Sequence, residues 1–152
     1  MAKCRVIRVN HTGITVSDLD RVAAFFRDVL GFTVTEPVEQ RGEAVSRMVG
    51  VPEAALRIAF CSGGGHTIEL IEYLNPRPTS EVRLPHNQTG FTHIAVLVED
   101  IDEAGTAISK AGFELFGAPQ TVPAGPRKGG KNVYARHGAG LVIELQQPPP
   151  AA

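Results

Sequence analysis

The sequence predicts an α+β protein made of two tandem β-α-β-β-β modules that form a curved mixed sheet. The stretch that begins at His11 recurs at His93, 82 positions later (93 − 11 = 82), and Asp18 recurs as Asp100 at the same spacing. Each copy also closes on the tripeptide Ile-Glu-Leu, at residues 68–70 and again at residues 143–145. A duplication of this period indicates two pseudo-symmetric units.

Composition is that of an ordinary globular protein, and the expected partners are small molecules. Of its 152 residues, 43 % are apolar and 20 % are charged, and the formal net charge of −1 provides no field for nucleic acid or an anionic membrane. No apolar run reaches the roughly 18 residues that span a bilayer, and the first five residues do not resemble a secretory signal. The two cysteines match no metal or redox spacing. We therefore expect a cytoplasmic protein with neither nucleic acid nor membrane as a partner.

The first module is predicted over residues 5–74. Alternating residues from Arg5 to Val16 predict a strand, and Ser17 with Asp20 predicts a capping box for a helix that ends at Gly31. Three more strands are expected at residues 32–38, 54–61 and 66–73, with a hairpin turn at 62–65. Residues 39–53 are expected to be mostly connection.

The second module is predicted over residues 90–147, after a linker of Pro-rich and polar composition at residues 75–89. Asp100 with Glu103 is expected to cap its helix, which ends at Gly112. The other expected elements are a first strand at 91–98, a short strand at 113–116, a flexible basic loop at 119–131, and a hairpin of strands 132–136 and 140–146. We expect residues 148–152 to be a disordered tail.

Strand alternation predicts which side chains share a face. Ile68 and Leu70 point to one face, which leaves Glu69 on the other, and Glu144 is placed in the same way by its neighbours. His11 and His93 fall on the same side as the two glutamates. Two imidazoles and two carboxylates are costly to desolvate without a partner, and one divalent cation would satisfy all four. We therefore expect the sheet to enclose a metal-binding cavity.

With a histidine opening each module and Ile-Glu-Leu closing it, the pattern resembles the vicinal oxygen chelate superfamily, which includes glyoxalase I, methylmalonyl-CoA epimerase, extradiol dioxygenases and bleomycin or fosfomycin resistance proteins. The resemblance implies that His11, Glu69, His93 and Glu144 bind one divalent metal ion, whether Co, Ni, Zn, Mn, Mg or Fe. In having a second carboxylate, this ligand set is similar to that of the glyoxalase-like and epimerase-like members of the superfamily. It implies an isomerase or lyase that moves a proton next to a metal-polarised carbonyl.

Residues 53–60 and 65–72 are similar to the third and fourth strands of methylmalonyl-CoA epimerases. In those enzymes a glutamate 16 positions before the second ligand acts as a base, and Glu53 has that spacing here (69 − 53 = 16). Glu53 and Glu144 are thus the candidate catalytic bases. Arg127, Lys128 and Lys131 would bind a carboxylate or a CoA phosphate of the substrate, a small carbonyl compound or an acyl thioester.

Two other functions remain open. A metal-free protein that binds an antibiotic or another small molecule is disfavoured by an aromatic content of 6 % and the absence of Trp. An extradiol-type dioxygenase would require iron. Open sheets leave strand edges that a second copy would cover, so we expect a homodimer. His66, His86 and His137 receive no role.

Overall fold

The computed structural model describes residues 4–79 and 84–150. This part of the chain divides into two compact units, with the boundary between Pro78 and Thr79, called unit 1 and unit 2 below. Residues 80–83 of the expected linker, and Ala151 and Ala152 of the expected tail, lie outside the described residues.

Unit 1 carries one five-stranded mixed sheet. Its strand order is β1-β5-β4-β2, with β3 also paired to β4, and only the β1–β5 pairing is parallel. The elements are β1 (Thr12–Thr15), α1 (Leu19–Asp28), β2 (Thr33–Val34), β3 (Val38–Arg41), α2 (Glu43–Val49), β4 (Ala55–Gly63) and β5 (His66–Asn75).

Unit 2 repeats this topology. Its strand order is β6-β10-β9-β7, with β8 also paired to β9, and only the β6–β10 pairing is parallel. The elements are β6 (Ile94–Leu97), α3 (Ile101–Lys110), β7 (Phe113–Leu115), β8 (Gln120–Thr121), β9 (Lys131–His137) and β10 (Val142–Gln147). The predicted fold class, α+β with a duplicated β-α-β-β-β pattern, is confirmed.

Each unit buries one face of its sheet under a helix. Leu19 and Phe26 of α1 are fully buried, as are Ile68 and Leu70 of β5. Aliphatic side chains at these positions remove apolar surface from water, which is the main driving force for the packing. The glutamate between Ile68 and Leu70 is consequently left on the face away from the helix.

The helix caps agree with the prediction in unit 2 and differ in unit 1. Asp100 caps α3 by accepting hydrogen bonds from the backbone N–H groups of Asp102 and Glu103, both at 2.9 Å. In α1 the capping residue is Asp18, whose carboxylate accepts from the Arg21 N–H at 3.0 Å, so the predicted Ser17 capping box is wrong. A carboxylate at this position is favoured over a hydroxyl by the positive end of the helix dipole.

Several predicted boundaries are corrected. The strand expected from Arg5 begins only at Thr12, and the residues before it include the exposed Ile7. Likewise, the strand expected from Phe91 begins at Ile94. The region predicted as connection contains β3 and α2, and the basic loop contains the short strand β8. Helix α2 buries no residue and its N-cap, Gly42, forms no side-chain hydrogen bond, so it lacks the buried apolar stripe and the polar N-cap that predicted α1 and α3.

The β4–β5 hairpin closes on a two-residue turn. Gly64 and Gly65 have φ of +57° and +78°, the left-handed conformation that such a turn needs at both positions. Within the described residues, no helix is both long and apolar enough to cross a lipid bilayer.

Candidate metal site

The parallel pairing of β1 with β5 creates the first histidine–glutamate pair. Gly13 lies opposite Glu69, and His11 stands two residues before Gly13 on the same face. The His11 Nε2 atom is 3.2 Å from Glu69 Oε2. The structure thus brings together the two candidate ligands of unit 1.

Unit 2 builds the second pair in the same way. Ala95 of β6 lies opposite Glu144 of β10, and His93 stands two residues before Ala95. The His93 Nε2 atom is 3.0 Å from Glu144 Oε2. The duplication therefore reproduces the chemical group as well as the fold.

The donor atoms of these pairs fit a divalent cation. His11 Nδ1 is 2.8 Å from Asn10 Oδ1, and its Nε2 atom faces the Glu69 carboxylate. Imidazole nitrogen and carboxylate oxygen together suit divalent first-row metals. Each unit supplies two such donors, and no group of three or more His, Cys, Asp or Glu side chains forms among the residues that the structure describes.

The carboxylate of Glu144 is buried and lies beside two residues of β9. Glu144 is only 4 % exposed, and Asn132 Nδ2 donates a 2.7 Å hydrogen bond to its Oε1 atom. Tyr134 lies directly opposite Glu144 in the strand pairing. Burial and the interaction with the Glu144 carboxylate raise the pKa of the Tyr134 hydroxyl. The sequence analysis missed Asn132 and Tyr134, although counting along the predicted last hairpin would have placed them near Glu144.

The carboxylate of Glu69 has apolar neighbours instead. Phe60 lies opposite Glu69 in the β4–β5 pairing, and its ring meets the His11 ring edge-on at a centroid distance of 5.7 Å. Two residues further along each strand, Ile58 lies opposite Ile71. The two carboxylates therefore differ in their surroundings although their backbone positions are equivalent.

Aromatic rings surround His86 on the same face of unit 2. The His86 ring stacks on Phe91 at 4.2 Å and also contacts Tyr134 at 4.6 Å and Phe116 at 4.9 Å. Tyr134 in turn contacts His93 at 5.2 Å. Burial among these rings, together with the positive charge of nearby Arg136, lowers the pKa of His86. Three of the nine aromatic residues of the chain, Phe91, Phe116 and Tyr134, are thus gathered around His86, close to His93.

Glu53 is not brought to the His11–Glu69 pair within unit 1. On β4, the residue opposite Glu69 is Phe60. The five residue steps from Ala55 to Phe60 (60 − 55 = 5) span roughly 17 Å of strand. Glu53 precedes Ala55, so it lies further away still. The spacing of 16 residues therefore does not by itself bring Glu53 to the His11–Glu69 pair, because β4 and β5 meet in a two-residue turn.

Glu53 lies instead at the open end of the hairpin. It is exposed, has a left-handed φ of +54°, and its carbonyl oxygen accepts a 2.7 Å hydrogen bond from Asn75 Nδ2. It lines a cavity of about 500 Å³ together with Arg41, Glu43 and Ser46.

The three basic candidates separate into two groups. Arg127 and Lys128 are exposed on the loop between β8 and β9, and the positive charge of Arg127 acts on Tyr134, partly counteracting the rise in its pKa. Lys131 lies opposite Gln147 in the sheet, on the face covered by α3, where its Nζ atom is 3.6 Å from Asp102. Of the three, Lys131 is thus engaged with α3, whereas Arg127 and Lys128 are exposed.

Comparisons with known proteins agree with this duplicated architecture. The chain is 33 % identical to a 2-epi-5-epi-valiolone epimerase from an Actinomyces species, over 96 % of this chain and 82 % of that protein. It is 28 % identical to the human mitochondrial methylmalonyl-CoA epimerase, over 92 % and 73 % of the two chains. A crystal structure of a glyoxalase family protein from Bacillus cereus superimposes with a TM-score of 0.82, at 29 % identity and 99 % coverage of both chains. Residues 10–134 match the family model itself, and the chain therefore belongs to the Glyoxalase/Bleomycin resistance protein/Dioxygenase superfamily.

Proposed function

We propose that the protein is a divalent-metal-dependent isomerase or lyase, epimerase-like or glyoxalase-like, that moves a proton next to a carbonyl group. His11, Glu69, His93 and Glu144 would hold the metal ion. The observation that carries the proposal is the repeated pair, an imidazole nitrogen facing a carboxylate oxygen at 3.2 Å in unit 1 and 3.0 Å in unit 2. Members of the superfamily typically bind a divalent metal.

A bound divalent cation would polarise the substrate carbonyl and make the neighbouring C–H group more acidic. The protein has to supply a group that takes this proton and returns it. We propose Glu144, because the hydrogen bond from Asn132 fixes the direction of its carboxylate. Phe60 and Ile58 would restrict water on the side of Glu69. Glu53 has no part in this proposal because of its distance along β4.

The substrate class follows from the relatives and from Arg127. Two relatives are epimerases, of 2-epi-5-epi-valiolone and of methylmalonyl-CoA. Arg127 and Lys128, exposed on the loop before β9, would bind an anionic group of the substrate, such as a carboxylate or a phosphate. We propose a small carbonyl compound or an acyl thioester that carries such a group.

The test combines metal analysis with hydrogen exchange. Protein loaded with Co²⁺ or Mn²⁺ is incubated in deuterated water with 2-epi-5-epi-valiolone, methylmalonyl-CoA or the hemithioacetal of methylglyoxal, and label is sought at the carbon next to the carbonyl. We expect label with one of these compounds, loss of exchange after chelation, and its return when metal is added back. A protein that binds none of Co²⁺, Ni²⁺, Mn²⁺ and Zn²⁺ contradicts the proposal.

One observation favours a second candidate, a metal-free protein that binds small molecules. The rings of Phe91, Phe116 and Tyr134 already hold one flat heteroaromatic ring, that of His86. For this function, binding of an aromatic compound would be unchanged by chelators. For the proposed enzyme, metal removal abolishes activity.

We also propose a homodimer. The sheets of both units end in edge strands, β1 and β2 in unit 1 and β6 and β7 in unit 2, which a second copy would cover. Light scattering coupled to size exclusion would give about twice the chain mass of 16.2 kDa for a dimer.

A further inference from the structure

The two candidate carboxylate ligands, Glu69 and Glu144, occupy equivalent positions in their sheets but have chemically different neighbours. In unit 2 the strand next to Glu144 carries Asn132 and Tyr134 on the face of the glutamate. At the same two positions in unit 1, the strand next to Glu69 carries Ile58 and Phe60. A polar pair thus replaces an apolar pair where the duplicated halves should otherwise match.

The polar pair determines how the Glu144 carboxylate is oriented. Its Oε1 atom accepts the 2.7 Å hydrogen bond from Asn132, while its Oε2 atom faces His93 at 3.0 Å. Because the residue is only 4 % exposed, water cannot replace a lost donor, and an unsatisfied buried carboxylate oxygen is costly. One oxygen is therefore held by Asn132, and the other is directed at the position that a cation shared with His93 would take.

Glu69 has no equivalent restraint. Its side chain is 17 % exposed, and among the described residues its hydrogen-bonding contact is with His11 alone. Nothing in the strand pairing of unit 1 fixes which of its oxygens faces the histidine.

We propose that Asn132, supported by the Tyr134 hydroxyl, is the positioning residue of Glu144, holding Oε1 so that Oε2 alone is presented to the metal ion. This inference rests on the proposed function. It predicts that metal affinity depends on the amide N–H of residue 132, not on the volume of its side chain. Outer hydrogen bonds of this kind typically contribute about 10- to 100-fold in metal affinity.

Two substitutions separate donation from packing. Asn132→Leu keeps the branching of the side chain at Cγ and removes the donor, and Asn132→Asp keeps both size and shape but replaces the donor with a second carboxylate. Both should weaken the binding of Mn²⁺, measured by titration calorimetry, by about 10- to 100-fold. A role in packing alone would leave Asn132→Asp at the wild-type affinity, which would overturn the proposal.

The chain offers a matched control on the next strand. Gln120 of β8 lies directly opposite Asn132 in the β8–β9 pairing, and its amide donates to the Ala118 carbonyl, not to Glu144. Gln120→Leu therefore removes a neighbouring amide and should leave Mn²⁺ affinity unchanged. An equal loss in this variant would also overturn the proposal.

Two further measurements keep the inference testable if these variants fold poorly or the wild-type protein binds no metal. Tyr134→Phe removes a single hydroxyl and should weaken Mn²⁺ binding by about tenfold. In metal-free protein, Asn132→Leu should lower the urea midpoint in the wild-type background but not in a Glu144→Leu background, because the bond to Glu144 is then already absent. Wild-type protein that binds none of Co²⁺, Ni²⁺, Mn²⁺ and Zn²⁺ would refute the proposed function, whereas equal midpoint shifts in both backgrounds would refute the positioning role.

Discussion

Gly13 lies directly opposite Glu69 in the parallel β1–β5 pairing, and a Cβ atom added at Gly13 would stand 3.4 Å from Glu69 Oε2. This is an ordinary van der Waals contact, and the equivalent position opposite Glu144 is Ala95. Alanine therefore fits at position 13, whereas the γ-carbons of a branched side chain would displace the carboxylate.

We expect Gly13→Ala to keep a metal affinity close to that of the wild type. Gly13→Val should weaken it by roughly tenfold or more, because the Glu69 oxygen is moved away from His11. Titration calorimetry with Mn²⁺ measures both. Equal affinities in the two variants would show that the Glu69 carboxylate does not take part in metal binding.

A second prediction concerns the stability of the β4–β5 hairpin. A Cβ atom at Gly63 would lie 2.6 Å from ring atoms of Phe32, which packs on Phe26 with a ring separation of 5.3 Å. Since the ring would have to move, Gly63→Ala should reduce the free energy of unfolding by about 1–3 kcal/mol in urea titrations.

Gly138 is the control for this substitution. A Cβ atom there meets nothing within 4 Å, and its φ is not left-handed. Gly138→Ala should change stability by less than about 0.5 kcal/mol. If both variants lose the same free energy, the cost comes from the glycine backbone in general and not from Phe32.

The ion pair between Asp20 and Arg57 predicts a pH dependence. Two Arg57 nitrogens each donate a 2.8 Å hydrogen bond to the Asp20 carboxylate, which lowers the pKa of Asp20 from its usual value of 3.8. A carboxyl group whose pKa is lower in the folded state stabilises the fold above its unfolded pKa. That contribution is lost as the pH falls through the lowered, folded-state pKa.

Asp20→Asn should therefore cost less than about 1 kcal/mol at neutral pH, because the Asp20 side chain is 68 % exposed and the pair is screened by solvent. Urea titrations at pH 7 and pH 3 should show the gap between variant and wild type shrinking on acidification. A gap of the same size at both pH values would mean that the cost does not come from the charge of Asp20.

The two cysteines should differ sharply in reactivity. Cys61 is fully buried in β4, and burial raises the pKa of its thiol to about 11, whereas Cys4 is exposed. Because the thiolate is the reactive form, a disulfide reagent at pH 8 should modify one thiol quickly and the second only after denaturation. The Cys4→Ser variant should lack the fast phase. Two fast thiols in the native wild type would contradict the buried position of Cys61.

Alternation within single strands made most of the candidate site predictable. The parity of residues 68–70 placed Glu69 away from the helix, and the structure shows it beside His11. Periodic apolar residues likewise located α1 and α3, because each has a stripe to bury.

What the sequence did not reveal depends on pairing between strands. Asn132 reaches Glu144 only through the β9–β10 register, which is set by the turn between them. Strand pairing also determines where Glu53 lies. Its spacing from Glu69 matches that in the epimerases, but the tight turn at Gly64 places it at the far end of β4 from the His11–Glu69 pair. Helix α2 was missed because it packs no side chain into the core.

The parallel neighbour of β1 is the last strand of its own unit, not the strand that follows it in sequence. His11 and Glu69 are 58 positions apart (69 − 11 = 58), and they meet only when this closing strand docks. A nascent or proteolytically shortened half that lacks β5 therefore cannot display its chelating pair. If the proposed metal ion binds, each unit can contribute its two donors only after its last strand has paired with its first.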